Sequence, residues 1–167
     1  NTFLFSRDTK INAVMEAARS LGFPHHVREF RKELLGEIVD LIVREGFPNN
    51  AIQQVHREAI RELSGEYKVI ADGTRFGDRV PLLTDDEVRS FGDRFGCSYI
   101  RPLIGFPKKE VERLVSRYLI ISYGETGEIQ NGDYETEIRG ELVKRGLSPE
   151  SFFPPVHRQS LVTGRKP

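Results

Sequence analysis

Asp72, Gly73 and Thr74 stand together where an apolar run ends, Asp78 follows shortly after, and a second cluster holds Arg101, Lys108 and Lys109. Glycine lets a ligand approach the backbone closely, and a threonine hydroxyl with nearby turn N–H groups can donate hydrogen bonds to an anion. Two carboxylates a few residues apart suit Mg²⁺, a hard ion that takes oxygen ligands and keeps several waters. Arg75 adds a cation beside them. The chemistry these types support is the holding of a polyphosphate, with Asp72 and Asp78 on the metal. The alternative is an ordinary turn in which Asp72 bonds locally and Asp78 pairs with Arg75 or Arg79.

The Lys108 and Lys109 pair sharpens the expectation. Two cations in the first turn of a helix oppose the positive end of its dipole, at a cost of a few tenths to about 1 kcal/mol, unless an anion reverses the sign. The helix that begins near Thr84 is different: Thr84-Asp-Asp-Glu87 has capping-box spacing and supplies its own negative charge. A solvated lysine pair compensated by Glu110 and Glu112 is the competing reading. Arg101 precedes Pro102, is therefore extended, and can reach the same edge.

Both clusters follow strand-like runs. Tyr67-Lys-Val-Ile-Ala71 reads as a central strand and Ser98-Tyr-Ile100 as a shorter one, while Pro107 suits the first position of a helix through Val111, Leu114, Val115, Tyr118 and Leu119. Upstream, Thr2 to Phe5 is strand-like. Asp8 or Thr9 can cap a helix bearing Ile11, Val14, Met15, Ala18 and Leu21, which Gly22 stops. His25 to Phe30 alternates as a strand, and helices follow with Leu34 to Val43 and Ile52 to Leu63 as their apolar positions. A glycine-rich connection from Tyr123 to Gly132 leads to a last helix with Tyr134, Ile138, Leu142 and Val143. This order predicts an α/β fold: a mainly parallel, doubly wound sheet of four to five strands with helices on both faces. Residues 1–146 form the expected domain, and 147–167, with four prolines, an extended tail.

Composition narrows the partners. With 167 residues and 38% hydrophobic content one domain can bury a sizeable core, and Lys plus Arg equals Asp plus Glu at 25 each. No global field draws the chain to nucleic acid or to an anionic membrane, so a nucleic-acid contact must come from a local patch. The single Cys97 makes no intrachain disulfide and reads as a small buried residue. No run approaches the roughly 18 apolar residues of a membrane-spanning helix. These features predict a soluble, cytoplasmic protein.

Ile70-Ala-Asp-Gly-Thr74 with Asp78, followed by Ile100-Arg-Pro-Leu103 and Lys108 at a helix start, resembles the latter half of the PP-loop ATP pyrophosphatases, the adenine nucleotide alpha-hydrolase-like superfamily. Archaeal-type members are the nearest in pattern, over about two-thirds of the chain. In that group the matching residues lie near the ATP phosphates. The resemblance implies ATP and Mg²⁺ as cofactors, with Gly73, Thr74, Asp78 and Lys108 near the phosphates and Lys108 and Asp78 in catalytic roles; Asp72, Arg75, Arg101 and Lys109 are the further cofactor-binding candidates that the two loops themselves offer. It also implies attack of a carboxylate, carbonyl or amide oxygen on the α-phosphorus, adenylating a small molecule or a tRNA and releasing pyrophosphate. Relatives suggest a homodimer.

The family's Ser-Gly-Gly-X-Asp-Ser loop occurs nowhere in the chain. Either the run from Thr2 to Ser6 is a second strand and the loop lies upstream of Asn1, or Ser6 to Lys10 is a degenerate loop. The first alternative puts Phe5 and Ser6 near the adenine. Two functions follow: an adenylating enzyme of tRNA or metabolite modification, or a non-catalytic nucleotide- or RNA-binding module that has lost the loop. His25 and His26 are without spaced metal-ligating partners and read as structural or surface residues. His56 has the same status, although the Asn49-Asn50 turn can bring it near a substrate. His157, Arg158, Arg165 and Lys166 make the tail mildly basic.

Overall fold

The periodic apolar segments become six α-helices and six strands among the described residues of the computed structural model, which are 1–7, 9–125, 128–129, 132–155 and 158–167. In chain order these are β1 (Thr2–Leu4), α1 (Asn12–Leu21), β2 (Val27–Glu29), α2 (Leu34–Glu45), α3 (Asn49–Ser64), β3 (Val69–Ala71), α4 (Asp85–Phe95), β4 (Ser98–Ile100), α5 (Lys108–Tyr118), β5 (Leu119–Glu125), α6 (Tyr134–Lys144) and β6 (Arg158–Arg165). Gly22, Gly46 and Gly96 end α1, α2 and α4 in the left-handed conformation that glycine adopts without strain. Thr84 and Glu87 form the expected capping box on α4. At α1 the cap position falls on Ile11 with no side-chain bond, and the Thr9 hydroxyl donates elsewhere; Asp8, the other candidate cap, lies outside the described residues.

The chain divides into two compact units, Asn1–Pro48 with Leu114–Pro167, and Asn49–Arg113. In the first, the parallel pair β1–β2 runs in register from Thr2 against Val27 to Leu4 against Glu29. Helices α2 and α6 pack together, and Leu34, Ile38, Val39 and Ile42 of α2 are buried, as are Ile138 and Leu142 of α6. Burial of such side chains contributes roughly 1.5–3 kcal/mol each. Arg145 at the end of α6 reaches Asp40 of α2 at 2.6 Å. Strands β5 and β6 pair antiparallel, with an irregularity between Ile120 and Ile121.

In the second unit β3 and β4 pair in parallel, from Val69 against Ser98 to Ala71 against Ile100. Ile60, Ile70, Leu83, Cys97 and Tyr99 form its core, with Leu63, Tyr67, Val88 and Phe91 packed at the margin. Cys97 is buried and unbridged. Gln53 of α3 clamps the segment before α4: its Nε2 donates to the Leu82 carbonyl at 2.8 Å and its Oε1 accepts from the Leu82 amide at 2.7 Å. Gln53 is buried, so Gln53→Ala leaves two backbone groups unpaired and is expected to cost about 1–3 kcal/mol in urea unfolding.

The single sheet of four to five strands is not what the strands form. They pair as three two-stranded ladders, two parallel and one antiparallel. Four of the six strands are only three residues long, and apolar alternation marks a strand without naming its partner. The mixed α/β class and the prevalence of parallel pairing agree with the sequence expectation. Leu119 to Glu125, read from sequence as a helix end and loop, is β5; its partner β6 lies in the segment expected as a tail. No helix is long and apolar enough to cross a membrane among the described residues.

Candidate functional site

Because β3 and β4 are parallel, both deliver their following loops to one edge of the second unit. The Asp72 amide continues the ladder, donating to the Ile100 carbonyl at 3.2 Å. The Asp72 side chain then gathers its neighbours. Oδ1 accepts from the Thr74 amide at 3.0 Å, and Oδ2 accepts from the Thr74 hydroxyl at 2.9 Å and from the Tyr99 hydroxyl. His56 Nε2 lies 2.9 Å from the same Oδ2 and 3.3 Å from the Tyr99 oxygen. Helix α3, strand β4 and the turn after β3 thus meet on one carboxylate.

The electrostatics follow from that arrangement. Burial opposes the charge on Asp72, but hydrogen bonds from His56, Tyr99 and Thr74 outweigh it and hold the carboxyl well below the usual carboxylate range. Burial and the bond to Asp72 together push the Tyr99 phenol up, so it remains a donor. Thr74 is buried with its hydroxyl turned to Asp72. Space above Gly73 is open: a Cβ built there meets nothing within 4 Å.

The next turn closes on itself. Gly77 takes φ +86°, bringing the Asp78 amide back to the Arg75 carbonyl at 3.2 Å. Asp78 accepts from the Arg75 amide at 2.8 Å and from its guanidinium at 2.7 and 3.2 Å. Although partial burial works against ionisation, these Arg75 bonds lower the Asp78 carboxyl. Between them Phe76 pairs with Pro107 in a parallel bridge, and its amide donates to the Phe106 carbonyl at 3.2 Å. The loop bearing Thr74 and the start of α5 are therefore adjacent.

Not every expected side chain turns outward there. Arg101 donates to the Leu83 carbonyl and to Asp85, each at 2.8 Å, and so fastens the segment before α4. Lys108 is 72% exposed with Glu112 at 3.7 Å, and Lys109 is exposed with no ion pair among the described residues. As Mg²⁺ ligands, Asp72 and Asp78 fit poorly, because their oxygens already accept from neighbours. Among the described residues no three His, Cys, Asp or Glu side chains gather to hold a metal. A cavity of about 410 Å³ between α3 and α4, lined by Ile60, Leu83, Phe91, Arg94 and Phe95, contains none of the expected site residues. The edge, where Lys108 and Lys109 are exposed beside the open space above Gly73, is the better candidate.

Phe5 and Ser6 belong to the first unit, where sequence reasoning missed their partner. Glu137 of α6 accepts from the Phe5 amide at 3.1 and 3.0 Å, from the Ser6 amide at 2.8 Å and from the Thr9 hydroxyl at 2.6 Å. The Phe5 ring stands 5.0 Å from that of Phe30. Loop donors of the kind that cradle an anion thus hold a carboxylate of the same chain. Tyr99 and Gln53 were also missed, since each acts through a partner more than 25 residues away. In the tail, Arg165 donates to the Leu21 carbonyl and Lys166 to that of Ser116; His157 lies outside the described residues. His25 Nε2 is 2.8 Å from the Thr2 hydroxyl, a structural role.

Fold and site together define an α/β protein with a solvent-facing, lysine-bearing loop edge beside a parallel strand pair. The chain belongs to DUF7411, a family of unknown function, which matches residues 1–164. It is 40% identical over 151 residues to an uncharacterized protein of Methanocaldococcus jannaschii, MJ0690, covering 90% of this chain and 75% of the relative. It is also similar to a crystal structure from Methanocaldococcus jannaschii described as a predicted subunit of tRNA methyltransferase. There the TM-score is 0.89 at 37% identity, over 99% of this chain and 83% of the other.

Proposed function

We propose that the chain is a tRNA-handling, non-catalytic subunit of a tRNA-modifying enzyme. The observation that carries this reading is its similarity, over nearly its whole length, to the structure described as a predicted subunit of tRNA methyltransferase. The site supports it. A catalytic carboxylate needs a lone pair facing its substrate, whereas Asp72 is surrounded by His56, Tyr99 and Thr74, Asp78 is clasped by Arg75, and Glu137 fills the loop after β1. Exposed lysines remain, and these position a phosphate backbone without chemistry.

Filter retention of total tRNA by the full chain tests the proposal. Binding is expected to weaken steeply from 50 to 200 mM salt, with no pyrophosphate released from Mg-ATP in the presence of tRNA. Failure to retain tRNA at low salt removes this reading, and tRNA-dependent pyrophosphate release replaces it with adenylation.

The bridge between Phe76 and Pro107 favours a second reading, a PP-loop-type nucleotide site in which Gly73 and Lys108 flank the phosphates of ATP. Mg²⁺ would then be held chiefly by the phosphates and water. Lys108→Ala is expected to weaken Mg-ATP binding by about 1.5–3 kcal/mol, the worth of a charge-assisted hydrogen bond. Unchanged affinity by calorimetry takes Lys108 out of the site.

A further inference from the structure

We propose that the edge formed by residues 75–79 and 104–109 is a stacking platform for single-stranded RNA, recognising unpaired bases through Phe76 and Phe106 and the phosphates between them through the flanking cations. The inference rests on the tRNA-handling reading and names the part of an RNA that the edge accepts.

Phe76 is 67% exposed, more than any other large apolar side chain among the described residues. Phe106 at 42% and Ile104 at 40% are exposed on the neighbouring loop. The two loops are joined by the bridge from Phe76 to Pro107 and by the 3.2 Å bond from the Phe76 amide to the Phe106 carbonyl. Both rings therefore sit on backbone that is tied together. The same segments contain Arg75, Arg79, Lys108 and Lys109, with Asp78 among them and Glu112 3.7 Å from Lys108. Arg75 neutralises Asp78, while Arg79 and Lys109 have no ion pair among the described residues. These two exposed cations, Arg79 and Lys109, thus stand on the same segments as the exposed rings.

That combination selects its occupant. Lysine is depleted at protein–protein interfaces, so a protein partner would use the rings and the arginines but be ill matched to Lys108 and Lys109. A nucleic acid uses both, because every base offers a π-face and every linkage a negative charge. Stacked bases within a duplex hide those faces, which leaves unpaired nucleotides, such as those of loops and ends, as the fitting segment.

The test is fluorescence anisotropy of the full chain with a labelled twelve-nucleotide single-stranded RNA, an RNA duplex of the same length, and tRNA. Wild type is expected to bind the single strand at least tenfold more tightly than the duplex. Phe76→Ala should weaken single-strand binding about tenfold, Phe76→Tyr should retain it, and Lys109→Ala should reduce the salt slope by about 0.7. Because Phe76 is exposed, its variants are expected to fold, and unchanged thermal unfolding checks this. Equal affinity for duplex and single strand, or unaltered binding in both Phe76→Ala and Phe106→Ala, overturns the platform. If tRNA binds but without dependence on either ring, the platform fails and the subunit reading stands. If the single strand binds through Phe76 while tRNA does not bind, the subunit reading fails and the platform stands.

Discussion

Asp72→Ala is expected to lower stability by about 3 kcal/mol, read as a shift in the urea midpoint followed by circular dichroism. The substitution removes an acceptor shared by the Thr74 amide, the Thr74 hydroxyl, the Tyr99 hydroxyl and His56, in a place where Asp72 and His56 side chains are each only 14% exposed. Little water is available to replace what is lost. An exposed acid of the same charge, such as Asp86, should tolerate alanine within about 0.5 kcal/mol. Equal losses at the two positions would contradict the account.

The same network fixes a pH dependence. Since the Asp72 carboxyl is depressed in the folded state, the unfolded chain binds more protons once pH falls below about 4. Its contribution is therefore complete above that value and is lost progressively on acidification towards the folded value. At the alkaline end the Tyr99 phenol is raised, so above about pH 10 the unfolded chain ionises first and stability falls as pH rises. Asp72→Asn should flatten the acid limb and reduce the alkaline one. An unchanged acid limb in this variant would assign the dependence to other carboxylates.

Glu137→Ala is the second large effect, at about 2 kcal/mol or more, concentrated in the loop after β1. Two amides and one hydroxyl lose their acceptor at once, and the amides of Phe5 and Ser6 are expected to exchange with solvent at least tenfold faster. Glu137→Gln keeps an oxygen without the charge and should cost about half as much. Phe5 and Ser6 amides that exchange no faster in Glu137→Ala than in wild type would show that the loop is held by other contacts. The experiment also bears on function, because that loop is where the resemblance to nucleotide-binding proteins leads one to look for a ligand.

What could be read in advance has a common physical character. The box at Thr84 and Glu87 spans one turn, and Gly22, Gly46 and Gly96 act on the helix that directly precedes each. The apolar positions Leu34, Ile38 and Ile42 declare a buried face through their spacing alone. The bond from Arg75 to Asp78 was visible as the alternative to a metal site, since it spans three residues. By contrast, Leu119-Ile-Ile continues the apolar pattern of the preceding helix, and only pairing with Arg158–Arg165 makes it a strand. Arg101 looked like a ligand cation because its extended backbone was legible, whereas its acceptors at Leu83 and Asp85 were not.

Sequence by itself determined the α/β class, most helix limits, the meeting of apolar strands with polar loops, and which residue types stand at the candidate edge. Tertiary structure decided how those residues are used. It turned Asp72 inward to His56 and Tyr99, placed Glu137 against the loop after β1, and left Phe76, Phe106 and Lys109 facing water. Helices, caps and turns arise from interactions within a few residues, so their signals lie side by side along the chain. The fate of a polar side chain depends on which distant group arrives beside it, and that is settled only when the separate elements pack.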